Sequence, residues 1–461
     1  MSLTFSDPGN TSTLQGFRRR VWVLVVVFLV IASGATALTL SEGPRLRDVV
    51  IDEASSLRTA GVALALRSDR AVTAVTKDMV TVSPSADFSV ESSDTVVRVI
   101  FSKPLRAATK YQVTLTGVSP RGLGAVSDWE ASFETPAEEL LYLRAAGDLD
   151  ELVRLRLDGQ PPEVLYQARG IQRFTRVGVV YAVLRSADGD TFIELVDPVS
   201  GGIDRLAETP GLPVTQMASS SWGTSLIVTV DYSAGGRSVR DALAVLDTVG
   251  LREPEIVRGN DGQPLGVLKM AVSPVSGSIV VWLKDQSLIL FDPLTGIILP
   301  LGNATELWGL DSLGDRVVAV DSLGTLARVL ATGEEIRVPA GNLDGFPVSH
   351  EFTVMAPGGT TYQRVRVPGF DDGLPFFVVT ADTGEGVHRR IFGNVQTPES
   401  IGGLGLSANG QYLVIASNQN PHPLGFAGLL PDVARQETVL VIWDTEVNAV
   451  YATEPGYSFT W

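Results

Sequence analysis

The chain contains no cysteine in 461 residues, which excludes disulfides, thiolate metal sites, cysteine nucleophiles and cysteine-linked lipid anchors. Histidine is scarce as well. His350, His388 and His422 are too few for a histidine-rich metal centre. Positive charge is in deficit: 36 Lys and Arg face 52 Asp and Glu, for a net charge of −16, so the basic footprint that a nucleic-acid partner needs is missing. No serine-hydrolase elbow, H-E-x-x-H pair or phosphate-binding loop occurs, and no cofactor is expected. Only 19% of residues are charged while 44% are hydrophobic, a balance that excludes an intrinsically disordered chain.

What is present begins with one long apolar run. Residues 21–40, VWVLVVVFLVIASGATALTL, carry no charge and follow Arg18-Arg19-Arg20. Twenty residues at helical rise span about 30 Å, the thickness of a hydrocarbon core. The preceding arginines place residues 1–20 in the cytoplasm and the remainder outside. The competing reading is a signal peptide cleaved after Ala37, since Ala35-Thr36-Ala37 fits the small-x-small pattern. Both readings export the rest of the chain, which then carries −18. Arginine outnumbers lysine 31 to 5, a bias expected of a GC-rich, actinobacterial genome.

Residues 44–136 read as a small β domain. TVVRVIF at 95–101 is β-branched and aromatic, YQVTL at 111–115 alternates with period two, and DWEASFE at 128–134 sets Trp129, Ala131 and Phe133 on one face. About seven short strands in such a length suit a two-sheet sandwich. The run RVIFSKPLRAATKYQVTLTGVSPRGLG at 98–124, closing with WEASFETP, resembles bacterial Ig-like domains of the S-layer type. The resemblance implies a spacer or adhesive module and no catalysis. Residues 44–90 depart from the pattern.

From residue 137 to 461 a unit recurs: apolar strand, Asp or small polar turn, apolar strand. It is centred on Asp158, Asp197, Asp247, Asp292, Thr332, Asp382 and Asp444, at spacings of 39 to 62 residues. Such spacing marks propeller blades, and seven copies predict seven four-stranded blades. Asp closes these hairpins by hydrogen-bonding its own downstream backbone. The first copy lacks an inner strand, and the orphan YSFTW at 457–461 is expected to supply it and close the ring. Phrases such as VLVIWDTEVNAVYAT resemble bacterial β-propellers of the YVTN type, which implies a fold and no activity. The expected architecture is all-β: an N-terminal transmembrane helix, an Ig-like sandwich and a seven-bladed propeller.

Candidate chemistry is thin. Asp188-Gly189-Asp190 and Asp148-Leu149-Asp150 read as hairpin turns rather than calcium ligands, and Gly402–Gly405 reads as a blade junction. Loop length carries more information. Three connections between the second and third strands of a blade are long: 231–241, 368–373 and 418–437. The last is too apolar for a disordered linker and too long for a plain turn. Phe370, Asp371, Asp372, His422, Leu424, Phe426, Leu429 and Leu430 are therefore the candidate partner-binding residues, read as one mixed apolar and acidic patch on neighbouring blades six and seven. The expected role is a membrane-tethered, extracytoplasmic binding or scaffold protein of the bacterial cell envelope. Its partner would be an envelope protein or cell-wall polymer. Two alternatives stay open: an envelope lyase or hydrolase working at the propeller channel, and a structural surface-layer component.

Overall fold

Alternation of apolar and polar residues is realised as strand burial almost throughout the chain. The computed structural model describes residues 19–31, 42–187, 189–206, 214–219, 223–234, 237–250, 252–273, 277–339, 341–343, 345–367, 376–394, 399–422, 424, 427 and 429–461. Residues 19–31 form a helix in which every residue is exposed. No helix among the described residues is long and apolar enough to cross a membrane, and residues 32–40 of the apolar run lie outside the described residues. The rest divides into two compact units.

The first unit contains seven strands in two antiparallel sheets. Numbered along the chain, one sheet runs first-second-fifth-fourth and the other third-sixth-seventh. Val97, Val99 and Phe101 of strand Val96–Phe101 point inward from the first sheet. Tyr111, Val113 and Leu115, with Trp129, Ala131 and Phe133, point inward from the second. The Phe101 ring lies 6.0 Å from that of Phe133, which stacks on Tyr111 at 5.4 Å. The Trp129 indole N–H, buried by this packing, donates to the Pro44 carbonyl at 2.7 Å.

The second unit is a seven-bladed β-propeller. Six four-stranded antiparallel meanders occupy 171–206, 214–256, 267–303, 306–337, 349–392 and 400–455. The remaining blade takes three strands from 139–168 and its innermost from Ser458–Thr460. Seven apolar cores, one at each junction between neighbouring blades, run round to the starting point. They form because both faces of each middle strand are apolar: in Val180–Ala187, Val183 meets blade one while Ala182 and Leu184 meet blade three. Polar turns alternate between two faces of the disc. Connections from first to second and third to fourth strands share one face. The second-to-third and interblade connections share the other.

The closing strand sits where the sequence places it, with Phe459 paired to Tyr142. Its side chain rests on Gly403 and Gly405 of the blade-seven inner strand, where any Cβ at Gly405 would overlap the ring. The glycine run is thus the seat of the closing strand, and no phosphate loop.

Candidate binding face of the propeller

The two faces differ in construction. On one face, the third-to-fourth-strand turns of blades two, three and four are tight and held by aspartate. Asp197, Asp247 and Asp292 accept the amide of the residue two positions on, at 2.8, 3.0 and 2.9 Å. Those residues, Val199, Val249 and Leu294, are exposed, as are Ile203 in blade two and Ile297 and Leu299 in blade four. The other face carries the irregular features.

In blade three the long connection is not a loop. Strands Ser225–Ala234 and Arg237–Asp247 continue their pairing to Ala234 and Arg237, so the expected loop at 231–241 is a projecting hairpin. Its base is a polar network. The Asp241 carboxylate accepts from the Thr215 hydroxyl at 2.6 Å and from Lys284 at 2.9 Å, and the Asp241 amide donates to Asp231 at 3.1 Å. These bonds hold the Asp241 carboxyl below its ordinary pKa, the Thr215 bond contributing most. Arg258 from the following interblade connection caps the ring of Tyr232 and donates to its hydroxyl at 3.1 Å.

In blade seven the insert is partly a helix, Pro431–Glu437. Pro at its start, Asp432 in the first turn and Arg435 in the last suit the helix dipole. Asn418, fully buried, donates from its side chain to the Val433 carbonyl at 3.2 Å and accepts the Asn420 amide at 2.9 Å. Arg435 reaches blade one, where its Nε meets Asp150 at 2.6 Å and its terminal nitrogen meets the Leu149 carbonyl at 3.0 Å. Asp150 is 2% exposed and also accepts the Tyr457 hydroxyl at 2.8 Å and the Ile171 amide at 3.0 Å. Burial pulls the Arg435 pKa down, but the bond and charge of Asp150 outweigh it and the net shift is upward. One carboxylate therefore gathers the insert, blade one, blade two and the closing segment.

Of the sequence candidates, Leu424 and Leu430 are 64% and 72% exposed on this anchored insert, and Leu429 is half-buried. His422 is half-buried and its Nδ1 accepts the Leu424 amide at 3.1 Å. Phe370, Asp371, Asp372 and Phe426 lie outside the described residues. His388 is buried in blade six beside Thr380, with Nδ1 at 2.9 Å from its hydroxyl. Burial lowers its pKa, against the field of Asp382. Among the described residues no group of three or more His, Asp or Glu is placed to hold a metal ion.

Residues that sequence reasoning missed line the channel. A cavity of about 540 Å3 opens among the inner strands of blades two, three and four, lined by Arg173, Gln216, Met217, Leu268, Lys269 and Met270 with Asp241 at its rim. Lys269 donates to the Trp308 carbonyl at 3.1 Å and lies 5.4 Å from the ring centre of Phe352. No motif announces these residues, because they are spread over three inner strands that lie far apart in sequence.

Family models and curated proteins were compared with the chain, and none matches. Among solved structures it is similar to TolB from Acinetobacter baumannii, at 11% identity over 82% of this chain and 80% of that one, with a TM-score of 0.35. Dihydro-heme d1 dehydrogenase NirN, in complex with DHE, is 13% identical over 70% and 74%, with a TM-score of 0.40. Hydrazine synthase from Kuenenia stuttgartiensis is 13% identical over 62% and 87%, with a TM-score of 0.42. The ring of seven blades follows from the chain's own strand pairing and interblade cores.

Proposed function

We propose that this chain is a membrane-tethered, extracytoplasmic binding or scaffold protein of a bacterial cell envelope, with the propeller as its recognition module and no catalysis of its own. The observation that carries the reading is the asymmetry of the propeller. One face has tight turns, held by aspartate in blades two, three and four, while the other bears a braced hairpin and an anchored insert that keeps Leu424 and Leu430 exposed. Rigid presentation of apolar side chains lowers the ordering cost of association. The tether is supported by the uncharged run at 21–40 behind three arginines. An Ig-like spacer is supported by the strand order of the first unit, which is that of constant-type immunoglobulin sandwiches.

The test is affinity capture with the full chain from crosslinked, carbonate-washed membranes, beside a Leu424→Ser/Leu430→Ser variant. The chain is expected in the washed membranes, and the variant is expected to fold normally and lose the captured partner. Absence from the membranes removes the tether. Equal capture by the variant removes the face.

A further inference from the structure

The channel cavity carries a charge opposite to that of the chain. Among the described residues one acid lines it, Asp241, which is already engaged by Thr215 and Lys284. Arg173 enters from the blade-two inner strand and pairs with no carboxylate among the described residues. Lys269 enters from blade four, half-buried; its ammonium meets a main-chain carbonyl and an aromatic ring, and it pairs with no carboxylate among the described residues. Glu306, exposed at the start of the blade-five inner strand, is the acid whose field reaches Lys269. That field does not offset the effect of burial, which leaves the ammonium below its ordinary pKa. A half-buried cation without a counter-ion is costly, and an anion brought beside it recovers that cost.

The rest of the wall is mixed: Thr215 and Gln216 are polar, and beside them runs an adaptable apolar stretch. Met217, Met270 and the 41%-exposed Leu268 line the same space, and thioether side chains mould to varied apolar shapes. The volume of about 540 Å3 falls within the span of small-molecule sites.

We propose that this cavity binds a small molecule carrying an oxyanion, carboxylate or phosphate, on a partly apolar body. Arg173 and Lys269 hold the oxyanion, and Met217, Met270 and Leu268 hold the body. The site goes beyond the partner-binding face and does not depend on it, since a macromolecule on the insert of blade seven leaves blades two to four open.

Titration calorimetry of the full chain in non-ionic detergent tests the site with three probes: inorganic phosphate, phenyl phosphate and benzoate. One of the two ring-bearing probes is expected to saturate a single site more tightly than inorganic phosphate does, and which of them it is assigns the anion. Arg173→Gln and Lys269→Gln are each expected to weaken that probe by about tenfold, the scale of one lost charge-assisted hydrogen bond. Lys110→Gln, on the sandwich, should change nothing. Arg173 is exposed, so its variant tests the site even where the Lys269 variant fails to fold. Absence of saturable binding by all three probes, or binding undiminished in Arg173→Gln, overturns the proposal.

Discussion

At the scale of single residues, two buried carboxyls sit in unlike surroundings. Asp150 is fully engaged, with a guanidinium, a phenol and an amide around it. Asp311, in the first turn of blade five, is 4% exposed and pairs with no cation among the described residues. Burial, then the hydrogen bond and charge of Asp315, push its pKa up to about 7 from 3.8. The folded state thus holds a proton that the unfolded chain has already lost, so stability falls as pH rises from about 4 to about 7. Asp311→Asn stays neutral and its side-chain oxygen can still accept the amides of Asp315 and Arg316, now bound at 3.0 and 3.1 Å. Urea denaturation at about pH 5 and pH 8 should show the parent losing stability across that interval and the variant losing less. Glu138, also raised to about 7 by burial, adds its own share, so the variant slope should not reach zero. Equal slopes would show that Asp311 titrates normally.

At the scale of elements, the blade-seven insert is an anchored strap. Removing Asp150 leaves Arg435 facing a partly buried space without its counter-ion, and breaking such a pair costs about 3 kcal/mol. Asp150→Ala should lower stability by that order in denaturant and accelerate amide exchange across Pro431–Glu437 while blade five stays protected. Loss of stability without faster exchange in the helix would mean that other bonds hold the strap. This element also shows where sequence legibility ended. The outer hairpins were readable because an aspartate and a small residue mark each turn between apolar strands, as at Asp197, Asp247 and Asp292. The projecting hairpin of blade three reads as a loop from sequence because DYSAGGRSVRD is mostly polar and glycine-bearing; Tyr232 and Val239, which pair across it half-buried, are too few to set an apolar alternation. The strap helix is seven residues long with no buried side chain, and its anchor joins positions 285 residues apart. No local pattern encodes that contact. The exposed leucines were legible as an apolar excess in a long connection, whereas the channel cations, each on a separate strand, were not.

At the scale of the whole molecule, the ring is closed by a three-residue strand whose aromatic side chain needs a glycine floor. Gly405→Ala should push Phe459 off its seat and cost about 1–3 kcal/mol, the usual range for overpacking a filled core. The closing strand pairs with blade one, so exchange should quicken first in Ser458–Thr460 and in strand Glu139–Ala146. An unchanged melting temperature would mean that the seam tolerates a shifted ring.

The larger consequence of closure is a rigid disc with unlike faces, and the central claim is that partners meet the irregular one. Photo-crosslinking in living cells compares the faces directly. A photoreactive amino acid is placed in the full chain at Leu424 or Leu430 on one face, and at Val199 or Leu294 on the other. All four side chains are exposed, so reactivity alone does not favour either pair. The account predicts a discrete adduct of constant size from Leu424 and Leu430 and none from Val199 and Leu294. Adducts confined to Val199 and Leu294 would contradict it and transfer recognition to the aspartate-turn face.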